Sequence, residues 1–237
     1  MKKILISITL LLIAIPFIFL WSLGAPFDRE SSEFYTMPPP ENLNRTIYNT
    51  LAKHHTTFLR KSHETDGAYT LLEITLEPGG SNGPHFHQRF AEIFTGVEGQ
   101  TGVHVNGTDY QIGPGETVRA EINDVHYFFN DSDETAVFQV RIEPGSQGFE
   151  KSLYILYGLV NAGMTDEDGL PLDIAHTAVF AAYSDTRAPG ILRLINPVFD
   201  RLAGRAQRDG TERALIERFY LSEVSDDPDE SEPDEDE

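Results

Sequence analysis

Cysteine is absent from the 237 residues. Disulfides, thiolate metal sites and a cysteine nucleophile are therefore excluded, and any metal must be held by histidines and carboxylates. Basic charge is scarce: 18 Lys and Arg stand against 38 Asp and Glu, a formal charge of −20. Nine of those acids fall in residues 225–237, a stretch with no base. Neither that tail nor the remainder offers the cationic field that neutralises phosphates, so nucleic-acid binding is excluded as a main role. No Gly-x-Ser-x-Gly elbow, phosphate loop or dinucleotide fingerprint occurs, which removes hydrolase-elbow, kinase and nicotinamide chemistry. Apolar residues are present in quantity, 40 % with 11 % aromatic, enough for a buried core.

The charge distribution opens with Lys2 and Lys3 and then falls silent from Ile4 to Phe27. Those 24 residues would make about 36 Å of helix, against a hydrocarbon core of about 30 Å. Residues 1–27 are therefore expected to be a single-pass transmembrane anchor, with the lysines in the cytoplasm and the rest of the chain facing outward. The alternative is a signal peptide cut after Ser22-Leu23-Gly24, giving a secreted protein, but the run is longer than a signal requires.

Residues 28–55 read as a linker, stiffened by Pro38-Pro39-Pro40, followed by a short helix over Glu41–His54. From 56 to 145 the pattern becomes short β-type runs: Thr56–Lys61, Ala68–Glu77, Ala91–Val97, Gly102–Val105, Thr108–Ile112, Thr117–Ala120, Val125–Phe129 and Thr135–Glu143. Asp66-Gly67 and Asn106-Gly107 between them are hairpin signals. No crossover helix fits, so an antiparallel sandwich or barrel is expected. Residues 146–222 turn helical, over Phe149–Asn161, over Ile191–Ala206 with Asn196-Pro197 interrupting, and over Glu212–Tyr220. The acidic tail, 223–237, lacks the apolar surface to fold and is expected to be disordered.

Chemistry concentrates in the β region. His85 and His87 are two apart, so on an extended chain both point to one side. Glu92 opens the next run, and His126 begins another in which Phe128 and Asn130 share its face. Three imidazoles and a carboxylate converging in a small barrel make a site for a divalent first-row metal, with one or two coordination positions left open. Phe94, Phe128 and Asn130, in phase with the ligands, either line a mostly apolar substrate pocket or, more simply for the aromatics, fill the barrel core. Arg141 and Gln139 fall on the opposite face, so no arginine clamp is evident. His104 is a candidate acid–base residue or, more simply, a structural one; His54, His55, His63 and His176 have no partner at ligand spacing.

These residues resemble the two motifs of the cupin superfamily over about residues 68–143. Gly79, His85, His87, Glu92 and Gly99 satisfy every interval of the first motif. Gly115, His126 and Asn130 fit the second, with Glu121 where proline is usual and Asn123 where glycine is usual. Asparagine tolerates φ > 0 and should preserve the turn, whereas Glu121 should loosen the loop and add charge near His126. The resemblance implies a mainly β fold, a double-stranded β-helix (jelly-roll) barrel, with His85, His87, Glu92 and His126 binding Fe, Mn, Ni, Zn or Cu. It does not choose the reaction. Two readings follow: a metal-dependent enzyme of oxygenase or isomerase type acting on a small organic molecule, with no catalytic acid or base assigned, or a non-catalytic module that captures or senses a small-molecule ligand.

Residues 187–220 hold seven arginines and four acids. A basic amphipathic segment of this kind either lies on an anionic membrane or packs on the barrel or on a second subunit of a homodimer; packing is the simpler expectation.

Overall fold

The computed structural model describes residues 20–222. Most of the apolar run and the whole acidic tail, with the anchor and disorder expected of them, lie outside those residues. Among the described residues no helix is long and apolar enough to cross a membrane.

Nine strands form the β region: β1 (Thr46–Asn49), β2 (His54–Arg60), β3 (Thr70–Leu76), β4 (Ala91–Glu98), β5 (Thr101–Val105), β6 (Thr108–Ile112), β7 (Thr117–Ala120), β8 (His126–Phe129) and β9 (Ala136–Glu143). They make a six-stranded sheet in the order β1-β2-β3-β9-β4-β7 and a three-stranded sheet, β6-β5-β8. Every ladder is antiparallel, as the absence of crossover helices requires. The period-two pattern sets the register. Leu72 faces Val140 and Ile74 faces Phe138 across β3 and β9, and all four are buried between the sheets with Phe94, Val103 and Phe128. At the β5–β6 hairpin Asn106 and Gly107 take φ of 48° and 87°, the double left-handed turn that their dipeptide signals. At Gly96 in β4 a Cβ would stand 2.1 Å from the carbonyl oxygen of Gly113, so the two turns of the barrel meet there only without a side chain.

Among the described residues the helices around the strands include α1 (Glu33–Thr36), α2 (Gln147–Asn161), α3 (Ile174–Ser184), α4 (Asn196–Asp209) and α5 (Thr211–Phe219), with a 3₁₀ segment at Gly190–Ile195 ahead of α4. The interruption expected at Asn196-Pro197 is the junction of that segment with α4. Helix α2 lies on the large sheet, where Tyr154 stacks on Phe58 at 5.1 Å. The C-terminal helices and the barrel share one continuous core.

Two expectations are corrected. The helix expected over Glu41–His54 is instead β1 and the start of β2: Thr46, Ile47 and Tyr48 are strand formers, and Thr46–Asn49 pairs with His54–Thr57 while burying Ile47 and Asn49 alternately. The linker of residues 28–45 is not a free spacer. Phe34 is buried, and the Lys151 ammonium collects the carbonyls of Phe34, Tyr35 and Met37 at 2.6–2.8 Å. Burial depresses that ammonium to about 8. Upstream of it, Phe27 N–H donates to the Asp200 carbonyl at 2.7 Å, so the last residues of the apolar run strap onto α4.

Candidate metal centre

The segment 81–87 runs beside β8. His85 and His126 exchange both backbone hydrogen bonds, at 3.1 and 2.8 Å, which makes them direct neighbours with side chains on one face. His87 follows two residues on, and its carbonyl accepts from Asn123 N–H at 2.8 Å. Asn123 has φ of 72°, so it supplies the left-handed turn where glycine would be usual. Glu92 comes from the opposite sheet, paired with Ala120 and Ile142 on β4 and pointing inward. One donor atom from each of His85, His87, Glu92 and His126 lies within 4.8 Å of every other.

Each imidazole is aimed by a backbone carbonyl. Nδ1 of His85 lies 2.7 Å from Gly83 O, that of His126 2.9 Å from Asp124 O, and that of His87 3.3 Å from Asp185 O. An Nδ1–H donated to a carbonyl leaves Nε2 as the free lone pair, the tautomer that a metal ligand needs. Nε2 of His87 and of His126 are buried without a hydrogen-bond partner. Glu92 approaches them at 3.5 and 3.2 Å, close enough for charge but not aligned as a hydrogen bond. Buried acceptors of this kind are rare without a function. The donor set, the orphaned nitrogens and the oriented rings all fit a divalent cation of borderline softness.

Electrostatics agree at His85, His87 and Glu92, while His126 is drawn towards its charged form. Burial pulls His87 down to about 3, and burial together with the neighbouring His126 pulls His85 down to about 4, so both rings are neutral near neutral pH. Burial pushes Glu92 upward, but the three imidazoles outweigh it and hold the carboxyl down at about 2. Burial also works against a charged His126, yet Glu92 prevails and raises it. His85 is the one member of the four that reaches solvent.

Residues 72–143 match the family model described as the cupin domain. That stretch is a cupin domain. No curated protein matches the chain. Among solved structures, the cupin region is similar to TT1209 from Thermus thermophilus, 22 % identical over 39 % of this chain and 84 % of that one, with a TM-score of 0.36. A predicted oxalate decarboxylase from Thermotoga maritima is 20 % identical over 46 % of this chain and 99 % of its own, with a TM-score of 0.39. The polyketide cyclase RemF from Streptomyces resistomycificus is 20 % identical over 49 % and 77 %, with a TM-score of 0.36.

Within the cupin the remaining expected residues separate. Phe94 and Phe128 pack against Phe138 at 6.4 and 5.1 Å, and Phe94 lies 6.0 Å from the His126 ring, so they fill the barrel floor beneath the cluster. Asn130 is not pocket lining. Its Nδ2 donates to the carbonyls of Leu76 and Glu134, and its Oδ1 accepts from Ser132, so its amide closes the β8–β9 loop. Glu121 neither loosens its loop nor faces His126: its carboxylate turns outward to Arg119 at 2.7 Å, and Asp124 closes the turn on its backbone. His104 is held by Asp109 and by Gly107 N–H at the β5–β6 hairpin, a structural post.

Sequence spacing gave no signal for the wall of the site. Phe90 stacks on His87 at 4.3 Å, and Phe149 of α2 meets it edge-on at 6.0 Å. Asp185, just past α3, holds a left-handed φ of 55°; its carbonyl aims His87 while its carboxylate accepts from Gln88 N–H at 2.6 Å. Phe86 and Arg187 then exchange backbone hydrogen bonds, so residues 185–187 flank the ligand strand. A cleft of about 390 Å³ lies behind this wall, lined by Tyr35, Arg89, Phe90, Ser146, Gln147 and Asp185 among others.

Proposed function

We propose that the cupin binds one divalent first-row metal through His85, His87, Glu92 and His126, and that the loaded protein is a metal-dependent enzyme acting on a small organic molecule. The observation that carries this is the pair of buried Nε2 atoms without partners beside an anionic Glu92, within a ring of donors no more than 4.8 Å apart. When bound, such a metal supplies Lewis acidity or a redox centre at an open coordination position. The chain's own part is to fix the rings by their Nδ1–H bonds, to exclude water with Phe90, Phe94 and Phe149, and to leave an approach beside His85. An oxygenase or isomerase type of reaction suits a site whose four polar groups are all ligands.

Capture without turnover is the second reading. It is favoured by the commitment of His104, the candidate acid–base residue, to its own hairpin. In either case the protein works outward of a membrane, tethered by the uncharged run. With Leu23–Phe27 strapped to α4, the run left for the bilayer is Ile4–Ser22, about 28 Å as helix.

The test is metal analysis of protein purified without added metal, followed by incubation of the loaded protein with a panel of small acids, sugars and aromatic compounds. About one metal per chain, lost in His87→Leu, supports the site. Metal-dependent consumption supports the enzyme, and saturable binding without consumption supports capture. Equal metal content in wild type and variant overturns the assignment.

A further inference from the structure

The segment Gly190–Ile195 joins α3 to α4 and packs on neither in full. Four of its six residues are large aliphatics: Ile191 is 79 % exposed, Leu192 53 %, Leu194 74 % and Ile195 38 %. A contiguous run of this kind on a chain of net charge −20 is a contact surface in want of a partner. Arg193, in its middle, reaches back to lie over the Phe86 ring at 4.4 Å, which holds the segment on the fold while its aliphatic neighbours point away.

Helix α4 follows directly on this segment. It buries Ala203, Gly204 and Ala206, while Arg201, Arg205 and Arg208 recur at a spacing that puts them on one side. Arg205 has only a distant contact, 3.9 Å to Asp209, and Arg201 reaches only a backbone carbonyl of its own helix. Arg208 donates to the carbonyls of Leu23 and Ala25 at 3.2 and 3.1 Å. The chain from there to Phe27 lies along α4, with Ala25 O occupying the space that a Cβ on Gly204 would fill. The uncharged run thus joins the fold at one end of α4, beside an 82 % exposed Trp21, and the aliphatic segment stands at the other end, about 20 Å away.

We propose that Gly190–Ile195 and the arginine row of α4 together dock on an anionic bilayer surface, with Ile191, Leu192, Leu194 and Ile195 entering the interface and Arg201 and Arg205 meeting lipid phosphates. The proposal builds on the tethered placement proposed above and fixes which face of the domain the tether draws down. Charge selects the lipid over the other occupant. Two copies meeting through this face would oppose their own arginine rows, whereas phosphates neutralise them. The remainder of the acidic chain is repelled by the same surface, so only this face is presented to it. α4 then lies parallel to the membrane, and the barrel projects outward.

The absence of cysteine makes the test direct. Leu194→Cys in the full chain carries a single environment-sensitive fluorophore, and Val97→Cys, near the end of β4 and 42 % exposed, carries the control. Both are reconstituted into bilayer discs of phosphatidylcholine alone or with phosphatidylglycerol, with and without quencher-bearing lipid. The expected result is a blue shift and lipid quenching at 194, stronger with phosphatidylglycerol, with neither at 97. Arg201→Gln with Arg205→Gln should remove the phosphatidylglycerol dependence. A label at 194 no more quenched than that at 97, in protein that stays with the discs, overturns the docking and keeps the tether; protein that leaves the discs overturns both. A shift that grows with protein concentration in detergent and needs no lipid assigns the face to a second copy and overturns the proposal. Metal content of the same samples reports separately on the barrel site.

Discussion

His87→Leu separates a metal site from a merely buried histidine, because the two assign opposite costs to the same atom. In the metal-free protein His87 contributes one long hydrogen bond to Asp185 O, at 3.3 Å, and leaves Nε2 buried and unpaired. The bond is worth about 0.5–1.5 kcal/mol and the orphan costs about 1–3 kcal/mol. Leucine is close to histidine in volume and would sit between Phe90 and Phe149, rings already in contact with this side chain. The metal-free variant should therefore unfold within about 1 kcal/mol of wild type, a shift of about 2–4 °C for a chain of this size. The loaded protein should behave differently. Metal at a hundredfold excess over Kd adds about 2.7 kcal/mol, which for this size raises Tm by about 5–11 °C. The assay is scanning calorimetry of chelator-stripped protein with and without each of Fe, Mn, Ni, Zn and Cu. Wild type should gain several degrees with at least one metal, and the variant should gain none. An equal metal-dependent rise in the variant, or no rise in wild type with any of the five, refutes the reasoning.

Two further predictions follow from the geometry. Asp185→Ala should weaken metal binding about tenfold by titration calorimetry, since an alanine strains the left-handed backbone whose carbonyl aims His87, while Asp185→Asn, which tolerates that backbone, should lose clearly less; equal affinity in all three proteins would remove Asp185 from the site. His54, buried against the Tyr157 hydroxyl at 2.6 Å, is pulled down to about 4 mainly by burial, so its neutral form stabilises the fold fully above pH 6.5. That stability, about 3 kcal/mol, is lost as pH falls from 6.5 towards 4, because the unfolded chain takes up the proton first. In urea titrations His54→Gln should flatten the pH dependence across that window, and an unchanged slope would show that His54 does not titrate as described.

The barrel was legible where period-two burial and turn chemistry agreed. All eight runs read from alternation and turn residues are strands, with ends displaced by at most two residues, and Asn106-Gly107 forms the turn its dipeptide signals. The ligands were legible because strand parity and the barrel's two layers put His85, His87, Glu92 and His126 on facing walls. Misreadings arose where tertiary contacts override local pattern. Ile47, Leu51 and Ala52 have helical spacing, yet pairing with β2 turns Thr46–Asn49 into a strand. The polar, proline-rich residues 28–45 look like a spacer until Lys151, over a hundred residues away, binds their carbonyls. Helix α3 was missed because Ala175, Ala178, Ala181 and Ala182 give little apolar contrast; its one local signal is Asp173, whose carboxylate accepts from Ala175 N–H as the N-cap. Asn130 shared parity with the ligands, but parity fixes only a direction, and its four hydrogen bonds take that amide into the loop.

The helical region matters to the site for a reason the cupin motifs do not contain. The match to the cupin domain ends at residue 143, yet the acceptor that orients His87 is residue 185 and one of the two aromatic walls against it is residue 149. Asp185 is in turn fixed from three sides. It follows the last turn of α3, its carboxylate binds Gln88 N–H on the ligand segment, and Arg29 approaches that carboxylate at 3.5 Å from the N-terminal strap. Arg187, two residues on, bonds Asp200 of α4 at 2.5 Å, and it is Asp200 whose carbonyl receives Phe27 N–H. A continuous chain of short contacts therefore runs from the strap that leads out of the uncharged run, through α4 and Arg187, to the strand carrying His85 and His87. Geometry at a metal ligand is sensitive to sub-ångström displacement of its hydrogen-bond acceptor. The physical consequence is that the helices are part of the metal centre's scaffold, and whatever contact holds α4 and the strap in place also holds the third carbonyl against the third imidazole.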